Sequence, residues 1–216
     1  KTVILANGTY PSHKVPLKHL REAELVVCCD GAAEKLVAHG LEPGIIIGDL
    51  DSVSPALKKR YEKILVADAD QESNDLTKAV NWCVEQGIEE VVILGATGIR
   101  EDHTLGNISL LSGYCERIDA LMLTNTGTFR VYDRSVTIGS HPGQQVSIFS
   151  IDPTLTVTSS GLRYPLNNLT LNSWWRGTLN EAADREFRLE FVNGRVIVFM
   201  EYHVNLADTV QKNISL

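Results

Sequence analysis

The chain is expected to be an α/β protein: an N-terminal parallel-sheet, Rossmann-like domain followed by an antiparallel β-sandwich or β-roll domain. Two changes of pattern predict this. Over about the first 130 residues, short apolar runs alternate with helical stretches, the signature of βα units. Over about the last 75, period-two alternation punctuated by turn residues takes over.

In order, Thr2 to Leu5 is apolar and stops at Asn7-Gly8, Leu25 to Cys29 stops at Asp30-Gly31, Ile45 to Ile47 stops at Gly48-Asp49, and Val91 to Leu94 stops at Gly95. Helices are expected between them. Ala32 to His39 ends at Gly40, a C-terminal cap. Ser73 is read as the cap of a stretch carrying Leu76, Ala79, Val80, Cys83 and Val84 on one face and closing at Gly87. Thr104 to Cys115 is the third helix. In the second half, Val146 and Ile148, Leu155 and Val157, Leu169 and Leu171, and Phe187, Leu189 and Phe191 alternate. Asn193-Gly194 between Phe187–Val192 and Arg195–Met200 predicts a hairpin. The expected domains are 1–135 and 136–216.

Composition narrows the function classes. With 20 basic against 27 acidic residues the formal charge is −7, a poor match to the Lys/Arg surface that binds nucleic acid. No apolar run approaches the roughly 20 residues that span a bilayer, and no secretory pattern opens the chain. Cys28, Cys29, Cys83 and Cys115 form no CxxC pair and read as reduced, buried thiols of a cytoplasmic protein. His13, His19, His39, His141 and His203 lack metal-ligand spacing and read as surface or loop residues.

Ligands of open α/β sheets bind beyond the carboxyl ends of the strands, so Asp30, Asp49, Asp51 and the Gly95–Asp102 loop are expected to face one cleft. Gly48-Asp49-Leu50-Asp51-Ser52 puts two carboxylates on one face of an extended chain, as a hard cation requires; a polar turn explains it equally well. Asp75 sits in a first helical turn, where a carboxylate is favoured without any ligand, and Lys78 fits a solvated helix position. Asp30-Gly31-Ala32-Ala33 permits either close ligand approach or helix–sheet packing. Gly95-Ala96-Thr97-Gly98-Ile99-Arg100-Glu101-Asp102-His103 joins a strand to a helix, offering backbone N–H groups and an Arg fork to phosphate; Asp102 fits a helix N-cap equally. GxxxxGK[ST], GxGxxG, GxSxG and HExxH patterns are all missing, which disfavours P-loop kinases, common dinucleotide enzymes, serine hydrolases with that elbow, and zincins. Acids at strand ends beside an Arg-bearing glycine loop point to magnesium-assisted chemistry on a phosphorylated ligand.

These segments, with Asn74-Asp75-Leu76-Thr77-Lys78, Gly98 to Leu105, Ser159 to Leu166 and Gly177-Thr178-Leu179-Asn180-Glu181, resemble in order and rough spacing the motifs of thiamine pyrophosphokinases. The resemblance covers nearly the whole chain. It implies an ATP-binding catalytic domain, a β domain for thiamine binding and dimerisation, and a homodimer with thiamine between subunits. It implies Mg²⁺ held by Asp49, Asp51 and Asp75, with Asp102 and Arg100 joining these three in catalysis. It implies contacts to ATP or thiamine from Asn7, Asp30, Gly31, Gln71, Asp75, Lys78, Thr97, Gly98, Arg100, His103, Tyr164 and Asn180. The reaction implied is attack of the thiamine hydroxyl on the β-phosphorus of ATP, releasing AMP, with Asp75 or Asp102 as proton acceptor. Ile99 stands where the family usually has Gly, and Leu179 where it often has Ser. The competing readings are pyrophosphorylation of another hydroxymethyl heterocycle such as a pterin, a non-catalytic thiamine or nucleotide sensor, and a metal-dependent nucleotide hydrolase.

Overall fold

A computed structural model describes residues 1–202; His203 and the end of the expected second domain lie outside the described residues. The chain forms two compact units, Lys1–Asn125 with Phe129–Asp133, and Thr126–Thr128 with the chain from Arg134 onward.

The first unit contains β1 (Thr2–Leu5), α1 (Lys14–Arg21), β2 (Leu25–Cys29), α2 (Ala32–Ala38), β3 (Ile45–Gly48), α3 (Pro55–Arg60), β4 (Leu65–Ala67), α4 (Asp75–Glu85), β5 (Glu90–Leu94), α5 (Glu101–Tyr114) and β6 (Asp119–Leu123). Six strands pair in parallel in the order β6-β5-β1-β2-β3-β4. The chain winds outward from β1 to β4 and then crosses back to β5. The strand order therefore reverses between β1 and β5, the point where open sheets leave a crevice at their carboxyl ends.

Both faces of this sheet are covered, so its strands read as continuous apolar runs rather than alternating ones. Ile4, Val27, Cys29 and Ile47 pack on one face with Leu76, Ala79, Val80 and Cys83 of α4 and Leu111 and Tyr114 of α5. Val3, Leu5, Val26, Cys28 and Ile46 pack on the other with Leu20 of α1 and Ala32, Ala33 and Leu36 of α2. Burial pushes the Cys28 and Cys83 thiols up to about 12; Cys115 is only half-buried.

Three local expectations change. Asn74, not Ser73, caps α4, its Oδ1 accepting from Thr77 N at 2.9 Å, while the Ser73 hydroxyl donates to Asp70. α5 begins at Glu101, with Arg100 at the N-cap position, so Asp102 lies inside the first turn rather than at the cap. His13 is no bystander: its ring nitrogen caps α1, accepting from Val15 N at 3.3 Å. Gly40, at φ +76°, ends α2 as expected.

The strand β7 (Gly127–Tyr132) contributes residues to both units. The second unit holds β8 (Val136–Gly139), β9 (Gln145–Phe149), β10 (Thr156–Ser160), β11 (Leu169–Thr170), β12 (Asn180–Glu181), β13 (Glu186–Glu190) and β14 (Val196–Glu201). Within it, β9 pairs antiparallel with β12 and β14, and β13 pairs antiparallel with β8 and β10, which carries β11. The expected Asn193-Gly194 hairpin is not formed. Asn193 does take the left-handed conformation at φ +54°, but the flanking strands part: β13 joins β8 and β10, and β14 joins β9. Phe187 and Leu189 of β13 and Val196 and Val198 of β14 are all buried. Each strand gains a separate set of partners and buried contacts, which outweighs the local turn preference.

Candidate active site

A cleft of about 460 Å³ opens in the first unit at the carboxyl ends of the parallel strands. Each wall segment directly follows a strand or opens a helix: Ala6-Asn7-Gly8 after β1, Asp30 after β2, Asp49, Asp51 and Ser52 after β3, Gln71 to Lys78 at the start of α4, and Ala96, Gly98, Ile99 and Arg100 before α5.

The acids meet around a glycine. Carboxylate oxygens of Asp30, Asp49 and Asp51 lie within 4.8 Å of one another. Gly48 has φ +151°, and a Cβ placed there would meet Asp30 Cβ at 3.0 Å and Asp75 Oδ1 at 3.1 Å. Only glycine allows both acids to close over the end of β3. Asp49 and Asp51 do converge, though not as neighbours on an extended strand. Leu50 sits at φ +64°, and Asp51 N donates to Asp49 Oδ1 at 3.1 Å. The segment is a turn, and the turn brings the carboxylates together.

Asp30 is 4% exposed. Its Oδ2 accepts from Ser52 N at 3.2 Å, whereas its buried Oδ1 has no hydrogen-bond partner. Burial raises the Asp30 carboxyl above its usual range, with Asp51 and Asp49 adding to the effect against the Ser52 hydrogen bonds. Burial likewise raises Asp75, opposed by Lys78 and reinforced by Asp30 and Asp49. Asp75 stands 3.7 Å from the buried Lys78, which donates to Asp68 O at 2.9 Å. The expected metal set was Asp49, Asp51 and Asp75; the oxygens that converge most tightly belong to Asp30, Asp49 and Asp51.

The glycine loop is tied to the end of β1. Gly8 N donates to Gly95 O at 2.7 Å and Thr9 N to Thr97 O at 2.9 Å. Gly98 lies at φ +77° and Ile99 at φ +66° with its side chain 68% exposed. A left-handed β-branched residue is rare and strained, and such positions cluster at functional sites. The Gly98 N–H donates to Thr104 Oγ1 at 3.0 Å. Arg100 is held by Asp102, with Nε donating to Oδ1 at 3.0 Å. The guanidinium and the His103 N–H hold the Asp102 carboxyl down at about 2.

Of the remaining expected residues, Asn7, Gln71 and His103 line the cleft, while Gly31 and Thr97 flank lining residues. Asp102 is not a lining residue and meets the cleft through its hydrogen bonds with Arg100 and His103. Tyr164 and Asn180 belong to the second unit. There the Asn180 amide spans the backbone of the 164 segment, accepting from Tyr164 N at 3.2 Å and donating to Tyr164 O at 2.7 Å, and Tyr164 is exposed. Leu179 is 83% exposed at φ +57°.

Lys35 and Asn107 are among the residues that escape sequence reasoning. Lys35 of α2 donates to Asn7 O and Gly8 O, both at 2.8 Å, and so clamps the β1 loop. Asn107 lines the cleft and donates to Ala96 O at 2.8 Å. The available signal for Asn107 was its spacing of four from His103, which places both on one helical face. Lys35 carried no such signal.

The chain thus joins a doubly wound α/β unit, whose strand ends gather an acid cluster and an Arg-bearing glycine loop, to a following antiparallel β unit. Residues 17–122 match the thiamin pyrophosphokinase catalytic domain, and residues 127–199 match the thiamin pyrophosphokinase substrate-binding domain. Thiamine pyrophosphokinase 1 of Oryza sativa subsp. japonica is 30% identical over 69% of this chain and 68% of its own length. Thiamine pyrophosphokinase of Bacillus subtilis is 29% identical over 80% of this chain and 86% of its own. The crystal structure of the Bacillus subtilis enzyme superposes with a TM-score of 0.77, covering 94% of this chain and all of that one at 25% identity. The chain belongs to the thiamine pyrophosphokinase family. Neither the pterin reading nor the non-catalytic sensor is favoured by these comparisons.

Proposed function

We propose that this protein transfers the diphosphate of ATP to the hydroxyl of thiamine, giving thiamine diphosphate and AMP, in a magnesium-dependent reaction. The observation that carries this reading is the convergence of Asp30, Asp49 and Asp51 within 4.8 Å, with the buried Asp30 Oδ1 unpartnered, beside the Arg100 loop. An all-oxygen set with an orphaned buried carboxylate oxygen suits a hard cation. A magnesium ion there would be held by Asp30, Asp49 and Asp51 and would neutralise charge on the phosphates.

The chain's own groups do the rest. Arg100 presents a planar fork to phosphate oxygens and exchanges its Asp102 partner for them. Lys78, fixed by Asp68 O, adds a positive charge beside Asp75. Asp75 lines the cleft and is raised by burial, whereas Asp102 is not among the cleft-lining residues, so Asp75 is the group that takes the hydroxyl proton. Phosphoryl-type transfer depends on positioning and charge stabilisation, which fixed elements at the strand ends provide.

Residues 1–135 bind ATP and carry the chemistry in this reading. Residues 136–216 bind thiamine and dimerise. The exposed aromatics Tyr164, Trp174 and Trp175 support a recognition surface in the second unit. The buried thiols Cys28, Cys29 and Cys83, which form no disulfide, support a reducing cytoplasmic setting, and no helix among the described residues is long and apolar enough to cross a membrane.

The test is AMP formation from ATP and Mg²⁺, with and without thiamine, in wild type and Asp51→Asn. Thiamine-dependent AMP matched by thiamine diphosphate, and nearly lost in the variant, is expected. AMP without thiamine identifies a hydrolase instead.

A further inference from the structure

Two asparagine side chains join the acid-bearing end of α4 to the glycine loop. Asn74 Nδ2 donates to Asn107 Oδ1 at 3.0 Å, and Asn107 Nδ2 donates to Ala96 O at 2.8 Å. The far end of this relay is fixed by the helix cap, where Asn74 Oδ1 accepts from Thr77 N. The cap orients both amides. A backbone N–H can only donate, so the Asn74 oxygen must face Thr77 and its NH₂ must face Asn107. Asn107 must then accept with its oxygen, leaving its NH₂ for the Ala96 carbonyl. Every donor in the relay meets an acceptor in one direction only.

The relay spans the cleft's working parts. Asp75 directly follows Asn74, Gly98 directly follows the Ala96–Thr97 step, and Arg100 lies two residues beyond Gly98. Asn107 itself lines the cleft between them.

We propose that Asn74 and Asn107 are positioning residues for the transfer reaction: their amide relay sets the spacing between the Asp75 end of α4 and the phosphate loop that carries Arg100. This rests on the activity proposed above. Because reaction rate depends on holding both parts at once, loosening the relay lowers kcat more than it raises KM.

Asn74→Ser separates this role from capping. Serine is as good a cap as asparagine, so α4 keeps its N-terminus, but the shorter side chain cannot reach Asn107. Asn107→Leu removes the same link from the other side. The expected result for each is a fall of about five- to tenfold in kcat with KM for ATP changed less than about twofold, and for Asn74→Ser an unchanged Tm. The double variant is expected to lose little more than either single one, since the relay breaks only once. A second readout needs no activity: amide hydrogen exchange over residues 96–100 is expected to quicken in Asn74→Ser, more than 20 residues along the chain from the change. Unchanged exchange over 96–100 in a folded Asn74→Ser protein overturns the relay, whatever the wild-type activity. Quickened exchange in a wild-type background that makes no thiamine diphosphate upholds the tie and overturns the assigned reaction. Quickened exchange with unaltered kcat overturns the positioning role.

Discussion

Gly8 gives the sharpest test of how the glycine loop is held. A Cβ at this position would lie 2.4 Å from Gly95 O and 2.5 Å from Thr97 O. Real Cβ atoms essentially never come closer than 3.0 Å, so in Gly8→Ala the β1 loop and the glycine loop must part by about 0.6 Å at least. Both obstacles are backbone carbonyls, so no side-chain rotation relieves the clash. The separation acts on Gly8 N to Gly95 O at 2.7 Å and Thr9 N to Thr97 O at 2.9 Å. Losing both costs about 2–3 kcal/mol, at about 1 kcal/mol per bond with part of the desolvation cost of the freed groups. For a chain of this size that is a fall of about 5–10 °C in Tm. The effect on catalysis is larger in proportion, because the same loop carries Arg100. A displacement approaching 1 Å at a positioning element costs up to about 100-fold in rate. Thiamine diphosphate formation followed at saturating ATP and thiamine, with thermal unfolding by circular dichroism, measures both effects. A Gly8→Ala enzyme with kcat within threefold of wild type and unchanged Tm would refute the claim that the two loops are locked to each other at this contact.

Other expectations follow from the same geometry. Lys35→Met leaves the Asn7 and Gly8 carbonyls without their ammonium donor and is expected to destabilise the protein by about 1–2 kcal/mol, whereas Lys35→Arg recovers most of the loss; thermal unfolding of the two variants decides. The Asp102 carboxyl is expected to titrate at about 2 in the free protein and to move up toward about 3.9 in Arg100→Gln, as read by carboxyl NMR. Its depressed value favours the fold above the unfolded pKa, and that contribution fades as pH falls toward 2; because the pair is exposed, Tm at neutral pH should barely change. Native protein treated with a thiol reagent is expected to modify Cys115 first, with Cys28 and Cys83 unreactive until unfolding, because their burial holds them protonated at about 12; rapid modification of several thiols would contradict this.

The first unit was legible because its signals are local and agree. An apolar run ending in Asn-Gly, Asp-Gly or Gly-Asp marks both a buried parallel strand and its carboxyl end, so Asp30, Asp49 and the Gly95 loop could be placed in one cleft without knowing any pairing. The strand β4 escaped because Leu65–Ala67 is only three residues long and none of them is fully buried. The helix α3 escaped because it buries no residue and shows no apolar face. The second unit was legible as alternating strands but not as a topology. The Asn193-Gly194 turn has hairpin chemistry, and nothing local says that β13 and β14 will take different partners. That choice is made by burial on two separate sets of strands, which sequence spacing does not encode.

The acids show how two carboxylates can meet by a geometry other than the one their spacing suggests. Asp49 and Asp51 were paired by assuming an extended strand, where alternate residues share a face. The chain instead turns left-handed at Leu50, and the carboxylates meet because Asp51 N reaches back to Asp49 Oδ1. A turn of this kind spends one lone pair of Asp49 internally and leaves carboxylate oxygens of Asp49 and Asp51 within 4.8 Å of Asp30. This is why the tightest triad includes Asp30 and leaves Asp75 to Lys78. If the turn sets the triad, Leu50→Gly should preserve it by easing the left-handed backbone, whereas Leu50→Pro, whose φ is fixed near −65°, should disperse it. Magnesium affinity, measured by calorimetry with a nucleotide present, is expected to survive the first substitution and to fall at least tenfold in the second. Equal affinity in both would mean that the carboxylates converge without the turn, and the extended-strand reading would be restored.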